Sequence, residues 1–523
     1  MESLPPLGFL LFPFFLIICF TRILKFQPNK MPPSPFLRLP IVGHLHLLLL
    51  TSALPHHALA TIARRLGPIF SLQLGQVLTL VISSPGLAKE VLKTHDHVFA
   101  SRPQIVAAQC LSFGCSDVTF SPHGPYWRQA RKICVSELLG PRRASSFRPV
   151  REEETARLVS QLQDLSGSKV DISRMLFAHT NDILCRVAFG KRFINDDTTS
   201  GDGSQKRNLA AVLTETQALL AGFSIGDFYP CWGWVNSVTA LNRRLERNLR
   251  DLRGVCNEII EEHVRKKERR TRCFSGEQER EEEEEEDFLD VLMRVQQRGD
   301  LEVPITDDNL KALVLDMFVA GTDTTAVTLE WTLTELVKHP EVLKKAQAEI
   351  CSQAYLKESG NEVDFRDFVY MKAVIRETLR LHPPVPLLVP RESMERCTLD
   401  GYEVPARTRV LINTYAIGRD ADSWDDPLEF RPERFEDANR VEMKDRDFRF
   451  LPFGGGRRGC PGSSFGLATV EITLARLLYH FDWALPRGIV PDDVDMDEVF
   501  GLATRKKSAL ILVPTVHKGR VVQ

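Results

Sequence analysis

The stretch PITDDNLKALVLDMFVAGTDTTAVTLEWTLTELVKHP contains no proline between Asp307 and His339. At 1.5 Å rise per residue it predicts one helix of about 50 Å. Thr306 is a suitable N-cap, and Asp307 and Asp308 suit the positive end of the helix dipole. A helix of that length has to cross the middle of a large domain. Its centre breaks the apolar pattern: Ala320-Gly321-Thr322-Asp323-Thr324-Thr325 sits between the runs ALVLDMFV and AVTLEW. Glycine costs about 1 kcal/mol against alanine there, and threonines can bond back to carbonyls and bend the helix. An acid beside hydroxyls in apolar surroundings can relay protons.

The other long periodic segments read as helices, while VLTLVISSP (Val77–Pro85) and the start of RVLINTYAIGRD (Arg409–Asp420) read as strands, so the body is mainly α with small β-sheets. Lysine plus arginine total 67 and aspartate plus glutamate 69, which gives no electrostatic reason to expect a nucleic-acid partner. The eleven cysteines include no C-x-x-C pair; their spacing fits neither a zinc ribbon nor a disulfide scaffold, and points to a reducing compartment.

LPPLGFLLFPFFLIICF (Leu4–Phe20) carries no charge and is followed by Arg22 and Lys25. It reads as an uncleaved membrane anchor over residues 1–26, one transmembrane helix, with Arg22, Lys25 and Lys30 holding the body on the cytosolic side. A proline-rich stretch, residues 27–44, reads as a stiff spacer. Residues 45–523 form the body. RKKERRTRCFSGEQEREEEEEED (Arg265–Asp287) runs from basic to acidic and reads as a solvated connection without chemistry.

One cysteine stands apart. In FLPFGGGRRGCPG (Phe450–Gly462), glycines let several N–H groups converge on Cys460, Pro461 suits the first turn of a helix, and Arg457 and Arg458 supply positive charge. Such a thiol is expected to ionise easily. A nucleophile would want a histidine partner, and the local segment has none. A lone thiolate without companion protein ligands points instead to a metal that brings its other ligands with it, haem iron. Further arginines could meet an anionic cofactor: Arg131, four residues after Trp127 in GPYWRQARKIC, and Arg391 after Pro390. Glu377 and Arg380 share a helical face in VIRETLRLHPP, and FRPERF supplies Pro432, Glu433, Arg434 and Phe435.

Phe453-x-x-Gly456-x-Arg458-x-Cys460-x-Gly462, Ala320–Thr325, Glu377/Arg380 and Pro432–Phe435 together resemble the motifs of the cytochrome P450 family, in the family's order and over essentially the whole chain. The anchor and proline hinge are similar to those of plant microsomal members, with Ser34 departing from a common hinge glycine. The resemblance implies the cytochrome P450 fold, haem b bound through Cys460, and an NADPH- and O2-dependent monooxygenase served by an NADPH–cytochrome P450 reductase at the endoplasmic reticulum membrane. It implies that Phe453 packs near the sulfur. Trp127, Arg131, Arg391 and Arg458 match haem-propionate positions, and Glu377, Arg380 and Arg434 a buried ion-pair network. Asp323 and Thr324 match the pair that guides protons to dioxygen. Arg128, Lys132 and the sulfur loop offer positive charge for meeting the reductase.

Within the family, stretches such as LSFGCSDVTFSPHGPYWR, AGFSIGDFYP, VPLLVPRES and FGLATRKK are similar to plant members that hydroxylate tryptamine at the indole 5-position to give serotonin. That resemblance implies a pocket with aromatics and one acid, for an indole and an ammonium. Phe113, Phe223, Phe228 and Phe500 are the aromatic candidates, with Ala320 on the long helix. Asp117, Asp227 and Asp316 are the acid candidates, Asp227 favoured for its aromatic surroundings. Hydroxylation of another plant metabolite, such as a terpenoid or flavonoid, and a reductase-independent haem-thiolate isomerase or dehydratase are the alternatives.

Overall fold

One helix serves two apolar cores. The computed structural model describes residues 30–50, 53–192, 209–221, 224–238, 240–273, 287–298, 301–357, 368–436 and 447–517. The expected anchor at 1–26, Phe223 and the glutamate run 281–286 lie outside the described residues. Asp307–Lys338 is helical throughout. Its start is closed reciprocally: Thr306 Oγ1 accepts the Asn309 N–H at 3.2 Å, and Asn309 Oδ1 accepts the Thr306 N–H at 2.9 Å.

Leu310, Leu313, Val314 and Phe318 pack in a core with the helices Ile172–Phe189 and Ala240–Cys273. Leu329, Leu333, Leu336 and Val337 belong to a second core, shared with the helices Val369–Leu381 and Ser463–His480. The polar centre Ala320–Thr325 falls where the two cores part. Gly321 is needed there for contact: a Cβ would meet the Leu184 side chain at 3.0 Å. The close approach also lets the Thr180 hydroxyl donate to the Thr322 carbonyl at 3.2 Å. Among the described residues this is also the one helix long and apolar enough to cross a membrane, and most of it is buried in these cores.

The main sheet has four strands, β1 (Ile69–Leu74), β2 (Val77–Ile82), β3 (Arg391–Glu392) and β4 (Arg409–Ile412), in the order β1-β2-β4-β3. β1 and β2 form a hairpin with Leu74 opposite Val77; Gly75 turns it at φ +59°. β2 runs parallel to β4, and β3 antiparallel to it. Both expected strands form, the first ending at Ile82, before the Ser-Ser-Pro that closed the expected span. A smaller sheet joins Val170–Asp171, Ile511–Val516 and Phe481–Ala484.

The described part of the proline-rich stretch is docked and not free. Ser71 donates its N–H to Pro33 O at 2.7 Å and its hydroxyl to Pro32 O at 3.1 Å, and Gly43 bridges to Leu74. The arm finds edge hydrogen bonds on β1, which stiffness alone could not foretell.

On the helix Arg148–Asp164, Glu154 is buried and held by Arg186 at 2.7 Å and Arg192 at 2.6 Å. Burial raises its pKa, but the two arginines outweigh it and bring the carboxylate below its ordinary range. A depressed folded pKa contributes stability that is complete above the unfolded value, about 4.3, and is lost as pH falls through the folded value. Glu154→Gln is therefore expected to flatten the acid limb of a melting-temperature-against-pH profile while lowering stability near neutrality; an unchanged acid limb would remove Glu154 from the account.

Candidate active site

The seam between the cores opens into a cavity holding, with its mouth, about 1960 Å³ free of protein atoms. Its floor is the sulfur loop: Pro452, Phe453, Gly454, Arg458, Cys460, Pro461 and Gly462. Its roof is the centre of the long helix, including Ala320, Gly321, Thr324 and Thr325.

The loop folds around the sulfur as the glycines require. Gly454 and Gly456 both adopt φ +65°, and at Gly456 a Cβ would strike the Leu92 carbonyl oxygen at 2.2 Å. The Cys460 N–H donates to Phe453 O at 2.9 Å. The helix behind begins at Ser463, two residues later than Pro461 suggested, with Gly462 as its N-cap. Cys460 has open surface, but that surface faces the cavity. Burial pushes its thiol up; N–H groups of Gly462 and Ser463 and the charge of Arg131 pull it back only in part. This corrects the expectation of an easily ionised thiol: the loop prepares a thiolate but does not complete one, and a Lewis acid at the sulfur would.

Positive charge gathers on one wall. Arg102, Arg131, Arg391 and Arg458 all line the cavity. Arg458 donates to the carbonyls of Ala100, Val118 and Ser121 at 2.7, 3.2 and 2.6 Å. Arg391 donates to Gly455 O at 2.8 Å, and Arg131 to Gly459 O at 2.6 Å. Burial, reinforced by neighbouring guanidinium groups, lowers Arg391 to about 10 and Arg458 to about 9; Arg102 is pressed down by burial and then by Arg391 and Arg458. Crowded cations with carbonyl partners fit an anionic, two-carboxylate group better than water. A thiol aimed into the same space completes the donor set, so the site fits haem. Arg102 escaped the sequence reading, because Ser-Arg-Pro has no distinguishing pattern.

Trp127 stands behind this wall. Its indole N–H donates to Val118 O at 3.1 Å and its face carries Arg458 at 4.0 Å, so it orients an arginine where a direct cofactor contact was expected. On the roof, Thr324 Oγ1 donates to Ala320 O at 2.8 Å. Asp323 is buried off the cavity wall, with Arg505 Nη2 2.6 Å away. Burial raises its pKa, and Arg505 opposes the shift.

The substrate candidates divide. Ala320, Asp117 and Asp316 line the cavity, whereas Phe113, Asp227, Phe228 and Phe500 do not. Asp227, the acid favoured from sequence, is spent on structure: Oδ1 accepts the Val106 N–H at 2.7 Å. Phe228 carries Arg409 at 5.3 Å, Phe113 carries Arg253 at 5.1 Å, and Phe500 is 37% exposed. Phe120, Leu502 and Ala503, which lie within the quoted stretches but were not singled out there, reach the cavity instead.

Beneath the floor, Glu377 is fully buried. Arg380 clasps it through Nε at 2.7 Å and Nη2 at 2.8 Å, and Arg434 Nε donates to it at 2.9 Å.

A family model described as cytochrome P450 matches residues 32–513. The chain belongs to the cytochrome P450 family. It is 54% identical over 496 residues to tryptamine 5-hydroxylase of Oryza sativa subsp. japonica, covering 93% of this chain and 90% of that one. To desmethyl-deoxy-podophyllotoxin synthase of Sinopodophyllum hexandrum it is 43% identical over 511 residues, covering 98% and 97%. A zebrafish cytochrome P450 solved with progesterone superposes with a TM-score of 0.72 at 26% identity, covering 89% of this chain and 100% of that one. Membership brings a thiolate-ligated haem and an NADPH-dependent reductase as electron source.

Removing one partner of the buried trio strands a charge. Glu377→Gln is expected to destabilise the protein by about 3–5 kcal/mol, read as a lower denaturant midpoint; a loss under ~1 kcal/mol would mean the pair is solvated.

Proposed function

We propose that this monooxygenase hydroxylates tryptamine at the indole 5-position, with Cys460 holding the haem iron and Arg102, Arg131, Arg391 and Arg458 receiving its propionates. The observation that carries the substrate reading is the 54% identity to tryptamine 5-hydroxylase over nearly the whole chain, supported by the two carboxyl groups of Asp117 and Asp316 on the cavity wall.

When bound, haem supplies oxygen activation; the chain supplies orientation, dryness and protons. Leu184, Leu220, Val319, Leu388 and Val389 exclude water, and Phe120 offers a ring for the indole. Asp316 Oδ1 accepts from the Thr119 hydroxyl at 2.6 Å and Oδ2 from the Val118 N–H at 3.0 Å. Asp117 Oδ1 accepts the Phe120 N–H at 2.9 Å. Burial first, then Asp316, raises the Asp117 pKa. A substrate ammonium relieves that repulsion and restores the carboxylate, so Asp117 replaces Asp227 as the amine partner.

For protons, Asp323 lies between the half-buried Arg505 and the roof, its oxygens free of well-aligned hydrogen bonds. An acid held by charge alone can turn. It takes a proton on the Arg505 side and passes it toward Thr324 Oγ1, whose hydroxyl already lines the cavity.

Membrane attachment through residues 1–26 is supported by an apolar surface formed by Phe36, Leu37, Ile41, Leu49 and Leu50, all exposed, with Trp232 and Trp234 also exposed. Tyr229, whose hydroxyl donates to Ile41 O at 3.3 Å and whose ring stacks on Trp232 at 5.1 Å, joins the two parts.

With NADPH and reductase, tryptamine is expected to yield 5-hydroxytryptamine, identified by mass and retention. Its absence, or a product oxidised elsewhere, would sink the substrate assignment while leaving the haem site intact. Asp117→Asn is expected to raise KM for tryptamine at least ~10-fold, the scale of a charged hydrogen bond, and to spare haem incorporation. Cys460→Ala should lose the thiolate-type carbon monoxide spectrum of the reduced protein; survival of that spectrum refutes the ligand assignment.

A further inference from the structure

A second cluster of metal-binding side chains lies apart from the cavity. His56 Nε2, His57 Nε2 and a carboxylate oxygen of Glu498 all lie within 4.8 Å of one another. His56 Nε2 is 2.8 Å and His57 Nε2 3.4 Å from Glu498 Oε2. None of the three lines the cavity, and the oxygen chemistry proposed above does not use them.

The surroundings are built. His56 has no exposed side-chain surface and Glu498 only 9%, while His57, at 35%, faces an opening to solvent. The His56 and His57 rings meet edge to face at 4.3 Å, and Tyr415 packs on both at 5.0 and 4.5 Å. The second oxygen of Glu498 faces His382, whose Nδ1 is 3.8 Å away. His382 is nine-tenths buried and stacked on Trp331 at 4.1 Å, and its Nε2–H donates to Glu335 at 2.6 Å. That bond leaves Nδ1 as the lone-pair nitrogen, and Nδ1 has no hydrogen-bond partner. Glu335 thereby fixes the ring of His382 beside the cluster.

We infer that His56, His57 and Glu498 bind a divalent transition cation of the Zn2+ type, with water in the fourth position. Two imidazoles and a carboxylate suit a borderline cation and not Ca2+ or Mg2+, which take all-oxygen sets. In a tetrahedral site with bonds near 2.1 Å, donor atoms stand about 3.4 Å apart. The His57–Glu498 pair already has that spacing; the His56–Glu498 pair has to open by about 0.6 Å as the cation replaces the proton they share. Occupancy ties the start of the helix Pro55–Leu66 to residue 498, in the segment that carries Leu502 and Ala503 to the cavity and Arg505 to Asp323.

The test is Zn2+ titration of the chelator-washed, haem-loaded full chain, read by metal stoichiometry after dialysis and by X-ray absorption at the zinc edge, which the haem iron does not obscure. The expected result is one Zn2+ per chain in N/O coordination, lost in both His57→Ala and Glu498→Gln and retained in His263→Ala, which opens a further cluster of potential ligands among the described residues, His263, Asp287 and Asp290. His57 is partly exposed and Glu498→Gln is isosteric, so folding survives at least one of the two. Absence of stoichiometric Zn2+, Zn2+ undiminished in the His57 and Glu498 variants, or Zn2+ lost only in His263→Ala overturns the inference.

Discussion

The buried carboxylate of Glu377 organises more of this molecule than its size suggests. A charge with no exposed surface is tolerable only if every lone pair is met, and here Arg380, Arg434 and the Arg431 N–H meet them. The remaining guanidinium donors of Arg380 collect the carbonyls of Gly418, Pro427 and Glu429. Backbone between residues 418 and 436, irregular apart from the short 3-10 helix Pro432–Phe435, is thereby fixed to the helix Val369–Leu381. The same helix delivers Leu379 to the cavity, and the turn after it delivers Pro384, Val385 and Leu388. An electrostatic constraint under the floor thus sets the geometry above it.

The cavity wall uses charge in the opposite way. The trio below is closed and balanced, whereas the arginines beside Cys460 repel one another and rest on carbonyl dipoles, with Asp96 reaching Arg391 only at 3.5 Å. A protein that leaves cations so crowded gains by admitting an anion, and one that buries a thiol without fully ionising it gains by admitting a metal. Both needs are met by one ligand, which is why the two features share one space.

What the sequence disclosed follows from how local each feature is. The long helix was legible because its cap, length and apolar runs lie within one segment. Cys460 was legible because its glycines, arginine and proline are its immediate neighbours. Glu377 with Arg380 is set by helical spacing, though only the fold brings Arg434 to them. The pocket was read poorly for the converse reason. Whether Asp227 faces substrate depends on Val106, 121 residues earlier in the chain, and the direction of Trp127 depends on the Val118 carbonyl. Asp117 and Asp316 were both named, but their placement on one wall is a tertiary fact. Arg102 carries no local signature at all.

The stretch from Glu498 to Arg505 answers to several demands at once. Within eight positions it offers a carboxylate to two histidines, two apolar side chains to the cavity, and a guanidinium to the acid behind the roof. Mutational drift there is pleiotropic: a substitution that suits a new substrate also disturbs proton supply and local anchoring. Divergence of specificity should therefore accumulate on walls that answer to a single demand, such as Leu220 or Val389, and be slow on this one.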